Sequence, residues 1–353
     1  MKKILKIVGY IILIAVVLFA VFIVYITASD YKPPKVMNLM KGEKTPVVKP
    51  LVKDTFNIIT WNIGYAGLGA EMDFFYDGGK KVRPPKKDVE KYLHGIDKFI
   101  SSNDTVNFWF IQEVDKHSNR SYDINEVKSI SNADKGSHVV FAYNYVCPFV
   151  PVPWSNPMGH VKGGLMTVTK FPFIQATRYA YPLIAPWPDK LFLLDRCFIL
   201  TRFPLSNGKD LVLLNTHNSA YIYDSLLRVK ELNILKDKML EEYKKGNYVV
   251  AGGDWNANPP DFKPKGNYSG DRYEPTKVKM SNKTFPPEWQ WAYDSKAPTN
   301  RANNKSFVRG ENGTTTIDYF VLSPNIKLLK VKTIDLNFAD SDHNPVSMKF
   351  SLK

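Results

Sequence analysis

The sequence predicts an α/β domain, because it combines many short apolar segments with two longer helical patterns in one unit of chain. The short segments are rich in Val, Ile, Leu and Phe, which is typical of β-strands. The longer segments carry apolar residues three and four positions apart, as amphipathic helices do. With 353 residues, 44% of them hydrophobic, the chain can bury a large core. We therefore expect these strands and helices to fold together.

The N-terminal segment predicts a membrane anchor over residues 1–28. Residues 8–28 carry no charge, and several lysines precede them. Such a segment is long enough to cross a bilayer as a helix. The alternative is a cleaved signal peptide, but its apolar region is normally shorter and residues 26–28 form a poor cleavage site. The preceding lysines favour an orientation with the folded domain on the extracytoplasmic side.

Residues 29–54 are rich in Pro and Lys and lack an apolar period, so they are predicted to be an extended tether. The folded domain is expected to occupy residues 55–353. Its two cysteines, Cys147 and Cys197, are too few for a disulfide framework or a cysteine metal site. Whether the two thiols pair is left open by the sequence.

The sequence predicts one long loop region, two helices and nine strands in this domain. Residues 259–315 contain clustered Pro, Gly, Asn and Lys, which indicates a long loop region held to the core by Phe285, Trp289, Trp291 and Tyr293. The helical patterns cover residues 89–101 and 225–243. The predicted strands are 56–61, 106–111, 139–145, 165–169, 192–201, 211–215, 248–251, 316–322 and 346–350.

The charge balance favours a polyanionic partner. The formal net charge is +14, and the pI is about 9.4. Such a balance suits nucleic acid, anionic lipid headgroups or phosphorylated small molecules. The alternative is a well-solvated lysine surface, since the lysines are scattered singly and in pairs.

Polar side chains directly follow several predicted strands. The clearest example is the strand 248–251, after which two glycines lead to Asp254 and Asn256. These two side chains point the same way in an extended chain, and the glycines allow close backbone approach. Asp318 lies inside an apolar strand, where its charge needs a partner, and His343 is the natural one. The remaining polar residues at strand ends are Asn62, Glu113, His217 and Asp342.

Each of these residues also has a structural interpretation. Glu113 fits a solvated strand end, Asn62 a turn and His217 a satisfied core histidine. Asp318 can equally be a structural residue that accepts a hydrogen bond from a buried donor. As a set they favour phosphate ester hydrolysis: the carboxylates and amide suit a hard divalent cation, and the histidines suit proton transfer or phosphate contact.

Six ordered motifs carry a resemblance to a known family. The sequences TWNIG, IQEVD, NTH, GGDWNANP, TIDYF and SDHNPV resemble the endonuclease/exonuclease/phosphatase superfamily. That superfamily includes deoxyribonuclease I-like nucleases, neutral sphingomyelinases and inositol polyphosphate 5-phosphatases. The resemblance runs from about residue 55 to residue 353. It implies a four-layer α/β/β/α sandwich of two packed mixed β-sheets, and a phosphohydrolase site that uses Mg²⁺, with Mn²⁺ or Ca²⁺ as alternatives.

The resemblance also implies roles for individual residues. Glu113 is expected to be the principal metal ligand, with Asn62 and Asp342 close to the metal and the phosphate. Asp318 is expected to orient His343, which acts as a general base or contacts the phosphate. Asp254 is implied to hold or deprotonate the attacking water, and Asn256 to bind a phosphate oxygen. His217 is implied to stabilise the developing charge, and Arg196 to bind phosphate.

One departure from the family pattern lies before the strand 165–169. Many members have a Gly-Asn pair there, whereas this chain has Gly163-Gly164. A substrate contact is therefore expected to be missing or to be supplied by Lys162 or His160.

Two proline-interrupted apolar segments bear on the substrate. Residues 143–154 and 179–187 are expected either to dip into a lipid interface or to form ordinary core edges. The leading hypothesis is a membrane-anchored, Mg²⁺-dependent phosphohydrolase that cleaves a phosphodiester, with a lipid headgroup as candidate substrate. An extracytoplasmic DNase-like endonuclease is the alternative, although stacking aromatics interleaved with arginine are not evident. A catalytically silent binding module is disfavoured, because clustered acidic and histidine side chains are costly without a cation.

Overall fold

Two β-sheets packed face to face form the centre of this protein, and helices cover their outer faces. In this computed structural model, residues 1–40, 47–220, 225–263 and 280–353 are described, with only the backbone described at 225 and 226. The architecture confirms the predicted four-layer α/β sandwich.

The described ranges contain four α-helices and fifteen strands. The helices are α1 (Lys2–Ala28), α2 (Lys86–Ser101), α3 (Glu126–Ala133) and α4 (Ser225–Lys244). The strands are β1 (Val36–Asn38), β2 (Thr55–Asn62), β3 (Phe108–Asp115), β4 (His138–Val150), β5 (Gly159–Thr169), β6 (Gln175–Ala180), β7 (Cys197–Pro204), β8 (Asp210–His217), β9 (Tyr248–Asp254), β10 (Gln290–Ala292), β11 (Asn300–Arg301), β12 (Thr314–Thr315), β13 (Asp318–Leu322), β14 (Ile326–Thr333) and β15 (Val346–Leu352).

The strand order places two parallel pairs inside the sheets. In the described part of the chain, one sheet has the order β1-β6-β7-β8-β9-β13-β10 and the other β14-β15-β2-β3-β5-β4. Strand β2 runs parallel to β3, and β8 runs parallel to β9. Parallel strands end at the same edge of a sheet, so each pair presents two sets of terminal side chains together. The register aligns Asn62 with Gln112 and His217 with Asp254.

Apolar side chains fill three layers between these elements. Ile58 and Phe110 of one sheet pack against Leu213 and Phe320 of the other, which closes the central layer. On one outer face, α2 buries the apolar stripe that its spacing predicts. On the other outer face, α4 packs through Leu235 and its neighbours. Burial of these layers fixes the two parallel pairs relative to each other.

Most predicted strands occur near their predicted positions, but edge elements were missed. Strands β6 and β14 and helix α3 were not predicted. Strand β14 has the sequence IKLLKVKT, and its lysines lie on an exposed edge of the sheet. Charged residues of this kind protect open sheet edges, and they obscure the apolar pattern. The strand predicted at 192–201 begins only at Cys197, because a 3₁₀ helix occupies Asp189–Phe192.

Part of the predicted tether adds to the domain. Strand β1 pairs with β6 at the edge of the seven-stranded sheet, and Leu51 forms a bridge to Leu205. These residues of the predicted extended tether therefore pair with the edge of the domain. An extended segment has unpaired backbone groups, which complement those of an open sheet edge. Residues 41–46 of the tether and 264–279 of the predicted loop region lie outside the described residues.

Among the described residues, one helix, α1, is long and apolar enough to cross a membrane. Most of its side chains are exposed, and its last turns contact the domain. The ring of Phe22 lies 6.0 Å from that of Phe149 and 6.4 Å from that of Phe192. The Nε1 of Trp187 donates a hydrogen bond to Thr27 Oγ1 at 3.3 Å. The helix therefore ends beside the two apolar segments.

Each apolar segment divides into a buried part and an exposed part. Residues 143–150 belong to the edge strand β4, where Tyr145 and Cys147 are buried. Beyond this strand Trp154 is 78% exposed, and Trp187 of the second segment is 57% exposed. Both cysteines are buried free thiols. The buried residues thus form a core edge, whereas the lipid-interface alternative concerns the exposed tryptophans and stays a prediction.

Candidate active site

The polar residues that follow the central strands meet at one end of the sandwich. They surround a cavity of about 270 Å³. The predicted site residues that line this cavity are Glu113, Arg196, His217, Asp254, Asn256, Asp342 and His343. Asn62 and Asp318 do not line it, but each hydrogen-bonds to a residue that does. Two parallel strand pairs, one from each sheet, thus bring these distant positions together.

Glu113 reaches the cavity through a β-bulge. The pairing of β3 with β5 shifts between Ile111 and Val114, and Glu113 has a left-handed backbone with φ of 52°. Such a conformation is costly for a non-glycine residue and recurs at functional sites. The neighbouring Gln112 turns inward and donates to Asn215 Oδ1 at 2.7 Å. The bulge therefore directs Gln112 into the core and leaves Glu113 at the cavity.

Asn62 links carboxylates from the two sheets. Its Nδ2 donates to Glu113 Oε1 at 3.1 Å and to Asp254 Oδ2 at 3.0 Å. Its Oδ1 accepts a hydrogen bond from the backbone of Gly64 at 3.0 Å. Burial raises the pKa of Glu113, and the negative charge of Asp342 raises it further. Burial also raises the pKa of Asp254.

Asp254 depends on the glycine before it. Gly253 has φ of +142°, and a Cβ there would overlap the backbone carbonyl of Thr216 on β8. Glycine therefore allows the close approach that brings the ends of β8 and β9 together. The carboxylate of Asp254 also accepts a hydrogen bond from the backbone N–H of Asn256 at 2.8 Å. This bond closes a tight turn and holds Asn256 at the cavity wall.

His343 is held by a buried carboxylate. Its Nδ1 lies 2.8 Å from Asp318 Oδ2, and its Nε2 contacts the amide of Asn300 at 3.1 Å. Burial alone lowers the pKa of His343, but the charges of Asp318 and Asp342 outweigh it and raise the pKa to about 10. The raised pKa favours the protonated ring, which suits donation to an anion.

His217 has the opposite electrostatic environment. Burial holds its pKa well below the usual value, and the positive charges of Arg196 and His343 lower it further. Its Nε2 lies 3.4 Å from Asp254 Oδ2 and 3.8 Å from Glu113 Oε1. The pKa values of two neighbouring histidines are thus shifted in opposite directions.

Arg196 faces the same cavity with spare donor capacity. Its Nη1 is buried and has no hydrogen-bond partner within the described ranges. By contrast, Arg120 binds both oxygens of Asp115 at 2.9 and 3.0 Å and lies 3.7 Å above the ring of Tyr65. An unpartnered buried guanidinium nitrogen needs an acceptor, and a phosphate oxygen supplies one.

Lys162 and His160 lie elsewhere. Neither lines the cavity. The Nε2 of His160 lies 2.7 Å from Asp123 Oδ1 instead. Asn144, which was not predicted as a site residue, lies at a shift in the β4–β5 register and lines the cavity together with Gly164. Its Nδ2 is buried without a hydrogen-bond partner among the residues that the structure describes.

The donor set fits a hard divalent cation. Glu113 and Asp342 approach each other at the cavity, and burial raises the pKa of Glu113. The Oδ1 of buried Asp318 has no hydrogen-bond partner within the described part of the chain. One oxygen each of Asp254 and Asp318 and a ring nitrogen of His343 lie within 4.8 Å of one another. Crowded, desolvated carboxylates of this kind are stabilised by a bound cation.

Several cavity residues were not found from the sequence. Asn303 Nδ2 donates to Asp342 Oδ2 at 2.6 Å, and Asn300 contacts His343. Both lie in the region predicted as a long loop, where the only local signal is the asparagine-rich run 300–304. Arg120, Tyr65 and Asn144 lie outside the six sequence motifs. Their positions follow from packing between distant segments.

Comparison with known proteins agrees with this geometry. Residues 59–343 match the sequence model of the Endonuclease/Exonuclease/phosphatase family. The chain belongs to this family. Members of the Endonuclease/Exonuclease/phosphatase family are generally hydrolases of phosphoester bonds, and they use divalent metal ions. No curated protein matches the chain.

Solved structures show the same fold at low sequence identity. An endonuclease/exonuclease/phosphatase from Beutenbergia cavernae is 15% identical with a TM-score of 0.59, covering 85% of this chain and 72% of its own. A family member from Bacteroides vulgatus is 14% identical with a TM-score of 0.55, covering 85% and 100%. D. rerio TDP2, complexed with a single-strand DNA product, is 13% identical with a TM-score of 0.52, covering 85% and 100%. At these identities the likeness concerns the fold alone.

Proposed function

We propose that this protein is a membrane-anchored, Mg²⁺-dependent phosphohydrolase that cleaves a phosphodiester in a lipid headgroup. One observation carries the choice of substrate: Phe192 lines the polar cavity and also packs against Phe22 of α1. The cavity thus adjoins the helix that is proposed to cross the bilayer. Residues 1–28 then form the anchor, and residues 55–353 form the catalytic domain on the extracytoplasmic side.

The carboxylate side of the cavity supplies the chemistry in this proposal. Glu113, Asp342 and Asn62 hold the cation, whose contribution when bound is to withdraw charge from a phosphate oxygen. Asp254 accepts a proton from the attacking water, whose oxygen forms the new bond to phosphorus as the bond to the leaving oxygen breaks. The raised pKa of Asp254 suits a base that works near neutrality.

The donors around the cavity stabilise the phosphate in this proposal. His343, which Asp318 keeps protonated, donates to a phosphate oxygen rather than acting as a base. His217 and Asn256 donate neutral hydrogen bonds to the developing charge, and Arg196 contributes its positive charge. Preorganised donors of this kind are the largest source of rate enhancement in many enzymes.

The apolar side of the cavity supports a lipid substrate. One wall of the cavity is apolar, and parts of it are exposed beside the end of α1. Such a wall suits the glycerol-proximal part of an alkyl chain and is unfavourable for a polyanionic strand. The apolar wall consists of Phe74, Phe75, Tyr145, Val150, Val152, Met158, Phe192, Leu193 and Leu194.

The second candidate function is a DNase-like endonuclease outside the cytoplasm. The net charge of +14 and the unpartnered Nη1 of Arg196 favour it. The likeness to D. rerio TDP2 does not add to it, because 13% identity concerns the fold alone.

The test compares substrates and variants. Full-length wild type, Glu113→Ala and His343→Ala are assayed with and without Mg²⁺ on a generic phosphodiester, a choline phospholipid, a phosphoinositide and plasmid DNA. His138→Ala is the matched control, because His138 is exposed and does not line the cavity. We expect Mg²⁺-dependent turnover of a phospholipid, lost in both site variants and retained in the control. Equal turnover by wild type and site variants would refute the catalytic assignment, and plasmid cleavage without lipid turnover would favour the nuclease.

A further inference from the structure

A cluster of two histidines and an aspartate lies outside the catalytic cavity. The Nδ1 of His117 lies 3.0 Å from Asp123 Oδ1, and the Nε2 of His160 lies 2.7 Å from the same oxygen. The centroids of the two imidazole rings are 4.8 Å apart. The three ligand atoms all lie within 4.8 Å of one another. None of the three side chains lines the catalytic cavity.

We propose that His117, Asp123 and His160 form a binding site for a borderline transition-metal cation such as Zn²⁺. Two imidazole nitrogens and one carboxylate oxygen are ligands that Zn²⁺ prefers, whereas Mg²⁺ prefers oxygen alone. This site is therefore chemically distinct from the carboxylate-rich catalytic site.

The spacing of the ligand atoms suits such an ion. Zinc bonds to nitrogen of about 2.0–2.1 Å place the ligands of a tetrahedral ion about 3.3 Å apart. The nitrogen-to-oxygen distances of 3.0 and 2.7 Å need to lengthen by about 0.3 and 0.6 Å to reach this spacing. The side chains are partly exposed, so an ion can enter from solvent and a water can take the fourth position.

The backbone holds the three ligands in place before any ion binds. The N–H groups of Lys116 and His117 both donate to the carbonyl of Lys162, two residues after His160. The N–H of Lys162 donates to Ser118 Oγ at 2.9 Å. The N–H of Asp123 donates to the carbonyl of Ser118 at 2.9 Å. Preorganisation lowers the entropic cost of assembling a metal site.

A bound ion would connect the loop after β3 to strand β5. That loop also carries Arg120, whose side chain binds Asp115 and lines the catalytic cavity. Occupancy is therefore expected to stabilise the segment that supports one wall of the catalytic site, without adding a ligand to the catalytic metal.

The test measures metal binding, not turnover. Full-length protein in detergent micelles is stripped of metal, saturated with Mg²⁺ and titrated with Zn²⁺ against a chromophoric chelator. We expect one Zn²⁺ equivalent that His117→Ala and His160→Ala each weaken by more than about tenfold, the loss that even an outer-shell change produces. The exposed His94→Ala and His138→Ala are matched controls and should bind as wild type does.

Two further measurements decide the remaining outcomes. Glu113→Ala should keep the Zn²⁺ equivalent even if the proposed catalytic function fails, because Glu113 does not belong to this cluster. Co²⁺ in place of Zn²⁺ should give visible absorption that disappears in Asp123→Asn, a variant that keeps the shape of the side chain. Zinc binding that survives both histidine variants, or that is lost only with Glu113→Ala, would overturn the proposal. If the wild-type protein binds no Zn²⁺ in the presence of Mg²⁺, the proposal is also overturned, and the cluster is an ordinary hydrogen-bonded trio.

Discussion

The imidazole of His343 and the carboxylate of Asp318 form a buried pair, with Nδ1 and Oδ2 2.8 Å apart. The two residues belong to different sheets: Asp318 begins β13, and His343 precedes β15. The pair therefore joins the sheets at the cavity. Its electrostatic consequence is that the pKa of His343 is raised to about 10 against the effect of burial.

This pair predicts a pH dependence of activity. If His343 acts as a protonated donor, wild-type kcat/KM should persist through neutral pH and decline as the pH approaches about 10. Asp318→Asn removes a principal cause of the raised pKa, so the alkaline decline should move to lower pH. We also expect kcat to fall by about a hundredfold. A pH–rate profile of both proteins checks this, and an unmoved alkaline limb in Asp318→Asn would contradict it.

The metal-binding role proposed for Glu113 predicts how activity depends on the Mg²⁺ concentration. Glu113→Gln keeps the size of the side chain and removes its charge, so the Mg²⁺ concentration for half-maximal activity should rise. The maximal rate should fall by about a hundredfold or more, since a catalytic metal ion contributes several kcal/mol. The measurement is a Mg²⁺ titration of phosphodiesterase activity. Unchanged Mg²⁺ dependence in this variant would remove Glu113 from the proposed ligand set.

The exposed tryptophans of the two apolar segments, Trp154 and Trp187, predict a dependence on the lipid surface. The double variant Trp154→Ala, Trp187→Ala should turn over phospholipid in vesicles about tenfold more slowly, because aromatic side chains anchor at headgroup depth. Turnover of a water-soluble phosphodiester should stay unchanged. Leu329→Ala is the control, since Leu329 is 44% exposed on the remote edge strand β14. Equal losses on both substrates would indicate a structural effect instead of membrane contact.

A buried ion cluster predicts how stability changes with pH. Burial alone would raise the pKa of Glu242, but Arg202, Lys245 and Asn247 lower it to about 2 from 4.5. A depressed carboxyl pKa stabilises the folded state above the unfolded value, and this stabilisation is lost as the pH falls from about 4.5 towards 2. Glu242→Gln should therefore lower the free energy of unfolding at pH 7 by ~2 kcal/mol. This value lies between the cost of losing a surface ion pair and the cost of breaking a buried one.

The control for Glu242 is its neighbour. Glu241 also pairs with Lys245, but its side chain is half exposed, so Glu241→Gln should cost less than about 0.5 kcal/mol. Urea unfolding of the three proteins at pH 7 and pH 3 makes the comparison. A wild-type advantage over Glu242→Gln that does not shrink at pH 3 would contradict the expected linkage.

The elements that the sequence predicts share a local origin. Helices α2 and α4 and most central strands follow from the spacing of apolar residues, which depends on near neighbours in the chain. The polar residues at strand ends follow in the same way, and the structure brings all eight of them to one cavity or its immediate support. Edge elements were missed, because β14 carries lysines and β1 lies in a proline-rich segment.

The arrangement around the strand ends required the tertiary structure. The bulge at Glu113 depends on pairing with β5, and the position of Asn144 depends on a register shift between β4 and β5. The sequence predicted a substrate contact from Lys162 or His160, but neither residue lines the cavity. His160 turns instead to Asp123, which lies far from it in sequence.

The sequence by itself determined the fold class, the family and the residue types of the candidate active site, because each is encoded in periodicity or in short ordered motifs. Only the tertiary structure decided which side chains meet, that the pKa values of His217 and His343 shift in opposite directions, and that an apolar wall joins the cavity to α1. The physical reason is that distance, burial and desolvation arise from the packing of two sheets against each other, which no local segment specifies.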